Sequence, residues 1–466
     1  MRKLVTALAV VTLTACAREA REARPAAPDG IPDVVLVIGD GFGVGAWSLA
    51  RTWTSQRGEK LTMDGAPALG FLEARSLDHI VTDSGAAATA WSTGRLGPRF
   101  RVGFPGEDVP TLFERLRAAG RAAGFVTTAR VTHYTLAPFY ARAAHRDEED
   151  SIAAQLVEAL PDVAIGGGAR HFLPADRGGA RADGRDLFAE ASAKGAAVIR
   201  AVDGPLAADP PALVVLAGSH LPHDLDRAEG DPDLADLATL AIRRLEASGK
   251  SWFLLVEAAR IDHAGHDHDG ASLLRNTLQL DRAVRAILDA TDRRRTLVVV
   301  AADHETANPT LLEFAHPESL DVVNASIEAM EERIFEGRSW SGTPRALAER
   351  ALPVLDEGAR HTGLAAEDLD RLLRARDVYE RRTALGNALS RRFGVCFISY
   401  EDHLRSEQVH GHNGDLVPVR AFGPGAEAVR GVRDHAALGR WLAEVMDLPA
   451  EEPGTGGSID TARAGG

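Results

Sequence analysis

Short runs of consecutive apolar, often β-branched residues recur along the first 300 positions, each closed by polar residues or glycines. They cover 32–38, 122–128, 163–165, 213–216, 252–256 and 296–301. Unbroken runs of this length suit strands buried on both faces, whereas a half-exposed strand would alternate. Between and around them, 111–119, 151–160, 234–247 and 273–290 carry helical spacing. The alternation predicts an α/β protein: a central, mostly parallel sheet sandwiched by helices on both faces. In open sheets of this kind ligands bind beyond the carboxyl ends of the strands. The residues that close each run are therefore the ones to read for chemistry.

The pattern changes after position 309. Residues 309–395 carry long helical spacing, many Arg and Glu and no clear strand, which predicts a helical insertion, a lid or crown. Strand character returns at 395–399 and 416–422, and a last helix is expected at 435–446. Arg142 and Arg146 are expected in a helix ahead of the acidic run 147–150. Gly166-Gly167-Gly168 lacks the Lys-Ser/Thr of a P-loop and reads as a tight strand-to-loop turn.

Composition narrows the function. The 466 residues are 45% hydrophobic and 26% charged, with a formal net charge of −14, so binding specific to nucleic acid is not expected. An acidic protein handling an anionic substrate needs local positive charge, most simply from bound cations. At the N-terminus, Arg2 and Lys3 precede a short apolar run ending in Leu13-Thr14-Ala15-Cys16, which resembles a bacterial lipoprotein signal. That reading gives a signal segment at 1–16 and a flexible tether at 17–30. A catalytic domain at 31–450 and a disordered tail at 451–466 follow. The protein would be exported and membrane-anchored through lipid on Cys16, on the periplasmic side or cell surface. Cys16 would then not pair with Cys396, so no intramolecular disulfide is expected.

Val81-Thr82-Asp83-Ser84-Gly85-Ala86-Ala87-Ala88-Thr89-Ala90 is the stretch around which the chemistry gathers. An extended lead-in (Leu77, His79, Val81) reaches Asp-Ser, and the small residues that follow can form a helix. Ser84 then stands at or next to a helix start, where free N–H groups favour an anion. Either Asp83 or Ser84 could equally be a simple cap. Asp40, Glu257, Asp262, His266, Asp303, His304 and His412 nearly all follow predicted strands. Asp262 and His266, four apart, can share one side of a helical turn. Mixed His/carboxylate sets suit zinc and all-oxygen sets suit magnesium.

Taken together, Gly39-Asp40-Gly41, Thr82 to Ala90, Thr127 to His133, Glu257 with Ile261-Asp262-His263 and His266, Ala302-Asp303-His304-Glu305-Thr306, and His412 resemble the alkaline phosphatase family of metal-dependent phosphomonoesterases. The resemblance covers roughly 31–310 and 400–430. It implies two Zn2+ and one Mg2+. Asp262, His266 and His412 would hold the first zinc; Asp40, Asp303 and His304, with Ser84, the second; and Asp40, Thr135 and Glu257 the magnesium. It further implies Ser84 as nucleophile through a phosphoserine, and Arg146 as phosphate clamp with Arg142 as runner-up. His410 competes with His412, but only His412-Asn413-Gly414 has the family's spacing. Asp83 would support Arg146 or the Ser84 backbone, and His133 would reach magnesium through water. Small phosphorylated substrates are implied, and a homodimer stays open as an assembly. Sulfatases are excluded because Ser84 is followed by Gly85-Ala86-Ala87. A phosphodiesterase is the main rival, and a non-catalytic phosphate- or metal-binding lipoprotein the reading from another class.

Overall fold

The computed structural model describes residues 30–202, 204–360, 363–397 and 411–449. The signal segment, nearly all of the tether, Cys16, His410 and the tail at 451–466 lie outside them. Among the described residues Cys396 is a free thiol, and no helix is long and apolar enough to cross a membrane.

Fourteen strands follow in chain order: β1 Asp33–Gly39, β2 Ala68–Glu73, β3 Ala122–Arg130, β4 Val163–Gly167, β5 Ala197–Ile199, β6 Ala212–Val215, β7 Trp252–Ala258, β8 Thr296–Ala302, β9 Glu305–Thr306, β10 Thr310–Leu311, β11 Val395–Cys396, β12 His412–Asn413, β13 Val417–Phe422 and β14 Gly431–Asp434. Ten form one sheet in the order β14-β2-β13-β8-β1-β7-β3-β4-β6-β5. Only β13 runs against the others, pairing antiparallel with both β8 and β2. β1, β7 and β8 are buried at every position, as continuous apolar runs require.

Helices surround the sheet: α1 Val44–Ser55, α2 Ser84–Thr93, α3 Leu112–Ala118, α4 Glu149–Ala159, α5 Leu187–Ala193, α6 Leu234–Ala247, α7 Arg260–His266 and α8 Gly270–Ala290. The insertion supplies α9 Ile327–Phe335, α10 Pro344–Ala359, α11 Ala366–Arg374 and α12 Val378–Arg392, and α13 His435–Val445 is the last helix among the described residues. The expected α/β architecture holds.

Four expectations need correction. Residues 142–146 form no helix; Ala143 bridges Val102 instead, and the Arg142 N–H donates to the Gln155 side chain. The lead-in to Ser84 is not extended: Ser76 turns the chain by taking the His79 N–H on its hydroxyl, and the strand of that region is β2. The insertion does contain strand at its ends, where β10 and β11 pair antiparallel and pin its two necks together. Of the strand expected over 395–399, Val395–Cys396 is strand and Phe397 is not, while 398–399 lie outside the described residues.

Candidate active site

Strand register assembles the centre. Gly39 of β1 pairs with Ala258 of β7 on one side and Ala302 of β8 on the other. The next residues, Asp40 and Asp303, therefore emerge level with each other, and Glu257 sits one step inside. Gly41 makes the turn possible: its φ is +68°, and a Cβ there would lie 2.7 Å from the Thr306 hydroxyl oxygen. Its N–H donates to Asp303 Oδ1 at 3.0 Å.

Ser84 is the first residue of α2, and Asp83 is the helix cap, as the plainer sequence reading allowed. One Asp83 oxygen accepts from the Ala86 N–H and the other from the Phe100 N–H, both at 2.8 Å. The Phe100 carbonyl in turn accepts from the Arg146 N–H at 2.9 Å. Asp83 thus ties the start of α2 to the segment that carries Arg146. The Ser84 hydroxyl lies 2.9 Å from His304 Nε2 and 3.2 Å from Asp40 Oδ1, fully buried.

Two clusters flank the serine. Asp40, Asp303 and His304 bring ligand atoms within 4.8 Å of one another, and so do Asp262, His304 and His412. His266 joins the second: its Nε2 is 3.3 Å from Asp262 Oδ1 and 3.3 Å from His412 Nε2. The four-residue spacing does put Asp262 and His266 on one side of α7. A third set, Asp40, His133 and Glu257, also converges within 4.8 Å, and the Thr135 hydroxyl donates to Asp40 Oδ2 at 3.3 Å. His133, expected to act through a water, brings a ring nitrogen to the same point as the Asp40 and Glu257 carboxylates.

Two braces were not singled out from the sequence. Thr306 donates its hydroxyl to Asp262 Oδ1 at 2.5 Å, and Thr127 donates to Glu257 Oε2 at 2.5 Å. Both lie inside stretches that carry the family resemblance, Thr306 in Asp303-His304-Glu305-Thr306 and Thr127 at the head of Thr127 to His133, so a signal existed for each.

The electrostatics ask for cations. Burial, then the neighbouring Asp303, Asp262 and Glu257 carboxylates, push Asp40 well above the usual carboxylate range. Burial carries Glu257 and Asp303 to about 7. Asp262 goes the other way, because His266 and His412 outweigh the effect of its burial. Burial lowers His304 and His412, keeping their imidazoles neutral and fit to donate a lone pair. Among the described residues these carboxylates form ion pairs with histidines. Asp303 Oδ2, Glu257 Oε1 and His133 Nδ1 are buried without a hydrogen-bond partner. Packed carboxylates with orphaned oxygens beside neutral imidazoles fit divalent metal ions.

Arg146 lines a cavity of about 670 Å³ together with Asp262, His266 and His133. Its guanidinium lies over the Tyr134 ring, 4.5 Å from the centroid. Arg142 is turned elsewhere, forked onto Glu114 at 2.9 and 2.7 Å.

Comparison with known proteins agrees with this geometry. The profile of the family described as alkaline phosphatase matches residues 31–324. Streptomycin-6-phosphate phosphatase of Streptomyces griseus is 32% identical, over 93% of this chain and 94% of that one. Alkaline phosphatase 3 of Bacillus subtilis is 26% identical over 90% of each. Among solved structures, the Thermus thermophilus alkaline phosphatase superposes with a TM-score of 0.78 at 25% identity, covering 93% of this chain and 96% of that one. The sheet, the serine at its helix start and these matches lead to one conclusion: the chain belongs to the alkaline phosphatase family and is a phosphoester hydrolase.

Proposed function

We propose that the protein is a phosphomonoesterase that works through a phosphoserine on Ser84, with two zinc ions and one magnesium as its cofactors. The observation that carries this reading is the Ser84 hydroxyl held between Asp40 and His304, at the meeting point of two ligand clusters. Asp262, His266 and His412 would hold one zinc; Asp40, Asp303 and His304, with Ser84, the other; Asp40, Thr135 and Glu257 the magnesium, with His133 beside it. Bound there, the ions would neutralise the carboxylates and supply the acidity that turns a hydroxyl or water into a nucleophile near neutral pH.

The protein's own groups supply the rest. Ser84 Oγ forms a bond to phosphorus as the bond to the leaving oxygen breaks, and the alcohol departs with a proton. Water then attacks the phosphoserine, returning Ser84 and releasing inorganic phosphate. Arg146, planar and fixed against Tyr134, presents paired donors to the equatorial phosphoryl oxygens. Asp83 holds both the Ser84 helix and the segment bearing Arg146. The full-length relative from Streptomyces griseus is named for a phosphate monoester, which supports the same substrate class.

The test is a paired assay with p-nitrophenyl phosphate and bis-p-nitrophenyl phosphate. The monoester is expected to be the better substrate, and Ser84→Ala should lower turnover by at least about 10³-fold while metal content stays unchanged. Preference for the bis-ester would make the protein a diesterase, and normal turnover by Ser84→Ala would remove the covalent intermediate.

A further inference from the structure

The cavity beside Arg146 is larger than a phosphate group needs and falls within the ~300–1,000 Å³ range of small-ligand sites. Its wall has an uncommon composition. Among the described lining residues there is no Leu, Ile, Val, Met or Phe, whereas small-molecule sites are usually mostly apolar. Its apolar surface comes from Tyr134, Tyr379, Ala307 and the stems of long charged side chains, interleaved with polar groups, so a purely alkyl leaving group would meet no continuous apolar wall.

Arginines and carboxylates are equally represented on the wall, and three of the five arginines are held by carboxylates. Arg130 is forked onto Glu149 at 2.7 and 2.6 Å. Arg260 pairs with Glu328, and Arg382 lies 3.5 Å from Asp267. A balanced wall gives no reason to prefer a polyanion such as a nucleic acid. It does offer many fixed donors and acceptors, which suit hydroxyl groups that each donate and accept. At the rim Tyr379 stands 67% exposed, with an aromatic face and a phenol available to a passing ring. Asp377 lies two residues before it, and Arg170 reaches the cavity from the short helical turn after β4.

This rim is a fixed wall. α12, which carries Tyr379, sits so close behind α7 that a Cβ on Gly386 would lie 2.1 Å from the Asp267 carbonyl oxygen. Asn387 Oδ1 is 3.0 Å from His268 Nδ1, and the Ser390 hydroxyl donates to the His268 carbonyl at 2.7 Å. The insertion is thereby joined to the residues immediately following His266.

We propose that this cavity is a leaving-group subsite for polyhydroxylated alcohols, so that the preferred substrates are sugar or cyclitol phosphate monoesters, with Tyr379, Asp377 and Arg170 contacting the polyol. The proposal rests on the monoesterase reading and deepens it. The test compares kcat/KM for glucose 6-phosphate and n-hexyl phosphate in the metal-loaded enzyme. Both are six-carbon primary monoesters, so the ratio reports the subsite more than the chemistry. The sugar ester is expected to be favoured by about tenfold or more, and Tyr379→Ala to bring the ratio within about twofold of unity, chiefly through KM. Arg170→Ala, in the short helical turn after β4 and not on α12, should move the ratio the same way. Equal or better use of n-hexyl phosphate, or a ratio untouched by both variants, would overturn the subsite. Absence of turnover on every monoester, methyl phosphate included, would overturn the monoesterase reading and the subsite with it.

Discussion

At the scale of single residues, the centre joins groups whose protonation and metal binding are linked. Asp303 and Glu257 sit at about 7 because burial penalises their charge, yet a metal ion needs them ionised. Metal binding below neutrality must therefore expel protons, and apparent zinc affinity should rise as pH climbs through about 7. Titration calorimetry in buffers of different protonation enthalpy would measure that release; the same heat in every buffer would contradict it. Asp83 gives a second residue-scale expectation. It accepts at both oxygens, so Asp83→Ala should cost on the order of 1 kcal/mol for the cap alone and more for the orphaned Phe100 N–H. Asp83→Asn, with one acceptor oxygen, should recover only part in a denaturant titration, and kcat should fall in both through the loosened Arg146 segment. Residues of this kind differ in how far sequence reveals them. Asp40 and Asp303 were legible because a carboxylate directly after a buried apolar run is conspicuous. The role of Thr127 was not, since a threonine within a strand looks like any β-former until β3 and β7 pair and set Glu257 beside it.

At the scale of elements, the buried strands were legible and the margins were not. β1, β7 and β8 announce themselves as unbroken apolar runs. β2 alternates buried and less buried positions, but Leu69 and Phe71 on its outer face hide the alternation in the sequence; β5 is three half-buried residues and β14 four partly exposed ones, too short for a pattern to emerge. The 142–146 segment misled because Arg and Ala are good helix formers, while the bridge to Val102 is a tertiary contact that no local spacing contains. α12 offers a direct check on the link between insertion and centre. Gly386→Val should force the helix off the Asp267 backbone, displacing the residues that follow His266. The expected result is weaker zinc retention in dialysis and a higher KM for monoesters, with far-UV circular dichroism unchanged. Native zinc retention would mean that α12 does not brace α7.

At the scale of the whole molecule, the fold concentrates unpaired negative charge at its centre and leaves metal ions to compensate it. Ligands that bind only the folded chain stabilise it by mass action, so chelation should lower the melting temperature. The sign of the pH dependence follows from the raised carboxylates. In the metal-free chain Asp303 and Glu257 contribute stability that is fully present below their unfolded pKa near 4 and lost as pH rises through about 7. Scanning calorimetry should therefore show a larger drop on chelation at pH 8 than at pH 5, and an equal drop would argue against this origin.

The reversed strand β13 has a consequence for how the chain is made. It lies between β8 and β2, and His412, the last of the residues proposed to hold metal, comes just before it. Until residue 422 has left the ribosome, β8 keeps a raw edge, β2 lacks the partner that joins it to the sheet, and the metal centre is short of one imidazole. A chain cut anywhere before that point is at once incompletely paired and chemically incomplete. The segment that completes the sheet and the segment that completes the ligand set are thus one and the same.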